Sequence, residues 1–342
     1  MSIASQCLAG AYRREPQVGG EFRVSSTKVL RTTPVFDTYW RFAAERQEIF
    51  FRRFSGVSAP WTVDPILDTY RFTNVYRASD RVSQHLIQQV IYKGHQSEEE
   101  VFFRVLLFKL FNRIETWELL EDRVGPVCWR TFDLDRYNAV LNAAFRTGRR
   151  LYSAAYIMPS PPFGSPRKHT NHLTLLSTMM RDHLPFKIAS SGSLEQVFKR
   201  LQAYPSLGNF LAFQFAIDLN YSGLTDFSEM DFVVAGPGAR SGIRKAFGET
   251  AGLCEEDVIR AVTEFASAEF ERRGIAFRSL WGRPLHLIDC QNLFCEVDKY
   301  SRVAHPECGG DGRSRIKQRF VATEKGVPQW YPPKWRLEAP LC

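Results

Sequence analysis

Residues 232–247 read FVVAGPGARSGIRKAF, an apolar run, two glycines around a proline, and then a basic amphipathic segment. Several readings compete for it, and the choice decides the fold. A phosphate-binding P-loop needs Gly, four residues, then Gly-Lys-Ser/Thr, which the sequence nowhere supplies. The dinucleotide pattern Gly-x-Gly-x-x-Gly is nearly met by Gly236 and Gly238, but Ser241 stands where the third glycine belongs and Gly242 comes one position late. A doubly wound α/β sheet would also need strands alternating with helices. FVVA is the best strand candidate in the chain, and it is four residues long. A third reading is a hairpin between two helices. Its glycines admit positive φ and close approach, its free backbone N–H groups face a phosphate, and Arg240, Ser241, Arg244 and Lys245 open the following helix. A plain turn with two convenient glycines is the non-functional alternative.

Outward from this stretch, helical periodicity dominates. FDTYWRFAAERQEIFFRRF (36–54) places aromatic and aliphatic residues at helical spacing with charges between them. The same pattern recurs in residues 77–92, in 97–112, where Ser97 and Glu100 form a capping-box pattern, and in 114–124. It continues in residues 133–145, 171–184, 193–204, 208–221, 255–273 and 287–303. The expectation is an all-α fold of about ten helices. Residues 1–30 read as an N-terminal arm, 31–304 as the helical domain and 305–342 as an extended C-terminal tail whose Trp and Tyr residues dock on the body. The Pro-, Gly- and Ser-rich loop 158–171 either splits the helices into two lobes or faces a substrate.

Across 342 residues, 45 Lys and Arg face 37 Asp and Glu, a net charge of +8 that suits a polyanionic partner. Hydrophobic residues at 44% are ample for a core and exclude a disordered chain. The start has no basic region leading into a long apolar core, and no stretch approaches ~18 uninterrupted apolar residues, so the expectation is a soluble, cytoplasmic protein without a membrane partner. Seven scattered cysteines, an odd number, fit reduced thiols. Cys290, Cys295, His305 and Cys308 cluster without a Cys-x-x-Cys pair, so neither a metal nor another cofactor is expected.

Downstream, PLHLIDCQNLFCEVDKY sets Asp289 among Leu287, Ile288 and Cys290, where an unpaired carboxylate would be costly unless used. Capping the helix that follows is compatible with use. Asn74, Tyr76, Arg77, Asp80 and Arg81 crowd into FTNVYRASDR, as readers of a flipped base or as a salt-bridged helix face. Asp231 and Glu229 precede the glycines, and Gln291 and Asn292 follow Asp289.

The glycine stretch followed by Ile-Asp-x-x-Asn resembles the helix-hairpin-helix DNA glycosylases. That resemblance implies that Gly236-Pro237-Gly238 clamps double-stranded DNA and that Asp289 is the catalytic acid. Arg240 stands where lyase-type members carry lysine, implying a monofunctional enzyme. FTNVYRASDRVSQHLI, FFRVLLFKLFNRIETWELLE, FSEMDFVVAGPG and LIDCQNLFCEVDKY together resemble a closer family, the α-glutamyl/putrescinyl thymine pyrophosphorylases, also described as the helical domain of 5-hydroxymethyluracil DNA kinases. This second resemblance covers roughly residues 36–304 and implies action on hypermodified bases of phage-type DNA. Some members resemble defence glycosylases that excise glucosylated hydroxymethylcytosine. The leading expectation is therefore a monofunctional glycosylase in anti-phage defence. The alternatives are an enzyme displacing pyrophosphate from phosphorylated 5-hydroxymethyluracil and a non-catalytic DNA-binding module.

Overall fold

The computed structural model describes residues 20–309, 314–322 and 328–337; the first nineteen residues of the expected arm lie outside them. The described residues form fourteen α-helices and one two-stranded ribbon, so the chain is mostly helical.

The ribbon pairs β1 (Glu21–Arg23) with β2 (Val29–Arg31), Phe22 opposite Leu30, both buried. It lies within the stretch read as an arm, because Phe22 packs on Phe36 and Phe247 of the helical body. Thr33 caps α1 (Pro34–Phe54) through the N–H of Val35, with proline in the first turn. Asp64 caps the short α2 (Pro65–Thr69), and α3 (Arg81–His85) runs on into a π-helical turn, Leu86–Ile91. Next come α4 (Glu98–Phe111), α5 (Ile114–Val124), α6 (Leu134–Arg146), α7 (Lys168–Arg181), α8 (Leu184–Ala189), α9 (Leu194–Gln202) and α10 (Asn209–Asn220). The last four are α11 (Pro237–Phe247), α12 (Glu255–Glu264), α13 (Ala266–Arg272) and α14 (Leu287–Ala304).

Helices α4 and α10 are buried almost all round, as helices apolar on every face must be. α4 packs on α7, α8 and α10, while α1, α11, α12 and α14 assemble around one another. Ser97 does precede α4, but its side chain makes no cap bond. Glu100 instead accepts the N–H groups of Trp129 and Arg130, so the expected capping box is replaced by a tether to the next loop.

Residues 232–247 depart most from the expected hairpin. FVVA forms no strand, and residues 221–236 separate α10 from α11, so no tight hairpin joins two helices. Gly236 is the N-cap of α11. A Cβ on Gly242 would lie 2.1 Å from the carbonyl oxygen of Phe294, and one on Gly238 would lie 2.3 Å from Cys295 Sγ. These glycines, four residues apart on one face, let α11 press against α14. Ser241 and Lys245 reach across the same interface to Asp298, at 2.7 and 2.9 Å. Burial pushes the Asp298 carboxyl upward, but Ser241, Lys245 and Arg302 outweigh it and hold it below the ordinary range.

Candidate functional site

A cavity of about 610 Å³ opens where α1, residues 71–81 and the C-terminal tail meet. Residues 46, 50, 53 and 54 of α1 share one helix face, which puts Arg46, Phe50, Arg53 and Phe54 on the cavity wall. Arg71 and Phe72 come from the irregular chain that follows α2, Arg81 from the first position of α3, and Arg319 and Phe320 from the tail. Five guanidinium groups and four phenyl rings therefore face a common space, with Asp80 the one acid among its described lining residues.

Arg46 is the most informative of them. The residue is only 8% exposed. Nε donates to the carbonyl of Thr73 at 3.0 Å and Nη2 to Asn74 Oδ1 at 2.7 Å, but the buried Nη1 has no partner. Burial lowers its pKa to about 10, so it stays cationic near neutrality. A buried, charged donor is costly to leave unmatched, and an ordered water or a shift of the side chain toward an anion in the cavity would satisfy it. Asn74 anchors this corner: its Nδ2 donates to Ser79 O at 2.7 Å and its backbone N–H to Asp80 Oδ1 at 2.8 Å. Burial pushes the Asp80 carboxyl up to about 6, against the opposing pull of the Asn74 N–H and Arg46.

Of the residues singled out in the sequence, Asn74, Asp80 and Arg81 line this cavity. Tyr76 and Arg77 do not. Tyr76 is buried and donates to the carbonyl of Arg283 at 2.7 Å. Arg77 is consumed in the core: Nη1 meets Asp218 at 2.7 Å and Nε meets Gln214 at 2.9 Å. Asp218 also pairs with Lys109 at 3.1 Å, whose pKa burial lowers to about 8.

Asp289 sits apart from the cavity lining, at the third position of α14. Its Oδ1 accepts the N–H of Arg77 at 3.0 Å and its Oδ2 the N–H of His286 at 3.1 Å, completing a capping box with His286. The carboxylate thereby ties the 72–80 chain to the start of α14. Burial, then the neighbouring charge of Glu229, pushes it up to about 6. Glu229 faces inward and meets Arg283 at 3.1 Å, whereas Asp231 is exposed. Gln291 is buried 3.4 Å from Gln214, and Asn292 is half-buried beside it. Arg240 and Arg244 lie on the solvent face of α11.

Four of the cavity's five arginines and all of its phenylalanines escaped the sequence reading. Arg46, Phe50, Arg53 and Phe54 carried a legible signal, a shared helix face, but the same periodicity also describes an amphipathic helix with a charged edge. Arg71 and Arg319 carried none, because the tail meets residues 69–71 only in three dimensions, through a bridge between Tyr70 and Arg319. Among the described residues, no group of three or more His, Cys, Asp or Glu could hold a metal ion, and no helix is long and apolar enough to cross a membrane.

Chemically, guanidinium groups can pair with an anion and phenyl rings can stack on a flat ring, and this cavity presents both. The chain belongs to the family described as 5-hmdU DNA kinase, helical domain, whose model matches residues 33–310. It is similar to a 5-hmdU DNA kinase of Bacillus phage SP10, 29% identical over 321 residues, covering 87% of this chain and 48% of the relative. The chain thus spans about half the length of the curated relative it matches. No solved structure matches it.

These relationships overturn the expectation of a base-excising, hydrolytic glycosylase. The family and the relative are named for DNA kinases, which are transferases. The geometry explains why the glycosylase reading misled. Its hairpin is a helix–helix contact, and both oxygens of its catalytic acid, Asp289, are engaged by backbone N–H groups. Arg240 loses its diagnostic value with the hairpin.

Proposed function

We propose that this chain serves DNA base hypermodification, holding a phosphorylated 5-hydroxymethyluracil nucleotide in the arginine-lined cavity and displacing its pyrophosphate with an incoming nucleophile. The observation that carries the proposal is the convergence of five arginines, Arg46, Arg53, Arg71, Arg81 and Arg319, on one cavity. Such a cluster neutralises a polyphosphate and strengthens as negative charge gathers on a leaving group. The phenyl rings offer surfaces on which an extruded pyrimidine can stack.

In this reaction the nucleophile's lone pair forms a bond to the exocyclic methylene carbon as the C–O bond breaks, and pyrophosphate leaves with the bonding electrons. The arginines bind the departing anion. A proton released by an amine nucleophile passes to Asp80, which with a pKa of about 6 is ionised at neutral pH and poised as a base. Asn74 positions both Arg46 and Asp80, while Asp289 acts at one remove by fixing the chain that carries them.

The name of the phage relative favours a second reading, phosphorylation of the hydroxymethyl group itself. The missing P-loop pattern argues against this chain binding a nucleoside triphosphate in that manner. Two incubations separate the readings. DNA carrying pyrophosphorylated 5-hydroxymethyluracil, supplied with an amine, should release pyrophosphate and gain the mass of the amine. ATP-dependent phosphate transfer to 5-hydroxymethyluracil DNA, without that release, would assign the kinase step here and sink the displacement proposal.

A further inference from the structure

The tail lies beyond residues 33–310, yet it builds one wall of the cavity. Residues 315–320 read RIKQRF. The segment runs extended alongside residues 69–71, pinned by the N–H of Arg71 on Gln318 O at 3.0 Å and the N–H of Phe320 on Thr69 O at 2.9 Å. Extended chain alternates its faces. Ile316 and Phe320 pack inward against the core, while Arg315, Lys317 and Arg319 are exposed. The cations thus follow one another along a single edge at steps of about 6.6 Å, two residues of extended chain. Arg319 ends the row: its guanidinium lies 5.9 Å from the ring of Tyr70 and it also lines the cavity. The facing stretch, Thr69-Tyr70-Arg71, adds a cation and no acid.

We infer that Arg315 and Lys317 form a track for the backbone of a DNA strand, leading its phosphates to the cavity where the modified base is held. A row of cations on a pinned edge matches a row of phosphates without reading sequence. The inference rests on the DNA reading proposed above, but its residues are separate from the pocket that reading uses.

A second basic surface makes the assignment testable. Residues 145–168 hold Arg146, Arg149, Arg150, Arg167 and Lys168 with no acid, and none of them is among the cavity's lining residues. Fluorescence anisotropy with a labelled duplex containing 5-hydroxymethyluracil, repeated over a salt series, compares wild type with Arg315→Gln/Lys317→Gln and with Arg149→Gln/Arg150→Gln. Thermal melting checks that each variant is folded. The tail variant should bind at least about fivefold more weakly, and its slope of log K against log salt should be shallower by about 1.4–1.8, two phosphate contacts' worth. The other variant should keep the wild-type slope. An unchanged slope in the tail variant overturns the track, as does a loss confined to Arg149→Gln/Arg150→Gln. Wild type that binds no DNA overturns the functional reading itself.

Discussion

The α11–α14 interface and the arginine-lined cavity are both built from basic residues beside aromatic or glycine-rich chain, yet they spend those residues in opposite ways. At the interface, Ser241 and Lys245 are committed to Asp298, and Gly238 and Gly242 vanish under α14. At the cavity, Arg46 keeps an unmatched donor, and Gly56 on the rim has nothing near its missing side chain. The comparison teaches that a glycine or cation suggests a ligand only when its neighbours leave it open. A phosphate cradle and a close helix contact both call for glycines, because both need a missing side chain.

The largest expected effect belongs to the buried core that consumed Arg77. Arg77→Met leaves Asp218 short of one partner and should cost about 3–5 kcal/mol of stability. Denaturant unfolding that gives less than about 1 kcal/mol would show that the Asp218 network relaxes around the loss. Next, Gly242→Leu drives a side chain into the Phe294 carbonyl and should cost about 3 kcal/mol, at the upper end of overpacking effects. Wild-type stability in that variant would remove the packing account of the opening stretch.

At the cavity the effect shifts from stability to binding. Arg46→Gln should weaken pyrophosphate binding about 10–100-fold, the range of a lost charge-assisted hydrogen bond of about 1.5–3 kcal/mol. Isothermal titration showing equal affinity would move the anion elsewhere. A pH-dependent effect concerns Asp80. Its folded-state pKa is raised from 3.8 to about 6, so the folded chain holds this proton where the unfolded chain has released it. The stability this contributes is complete below about pH 4 and is lost as pH rises through 6. Asp80→Asn removes that dependence, so relative to wild type the variant should gain stability between pH 4 and 6. A constant difference across this window would contradict the burial of the carboxyl.

Much of the fold was legible because helical periodicity is local. The runs at residues 36–54, 208–221 and 287–303 appear as α1, α10 and α14 nearly in place. The ribbon was not legible, since Phe22 and Leu30 are isolated apolar residues whose burial depends on Phe36 and Phe247. The candidate site was legible in part. Asn74, Asp80 and Arg81 stood out because they crowd into one segment, whereas Arg319 joins them from more than two hundred residues away. Asp289 was legible as a buried acid, but sequence could not distinguish a carboxylate awaiting a substrate from one already holding two backbone N–H groups.

On the proposed function, the cavity and not the glycine stretch receives the phosphates. A crystal structure of the chain grown with pyrophosphate tests it most directly. The expected result is pyrophosphate in the cavity, its oxygens about 2.7–2.9 Å from guanidinium nitrogens of the lining arginines. Pyrophosphate seated at the start of α11 beside Gly236, with no anion among the cavity's arginines, would contradict it.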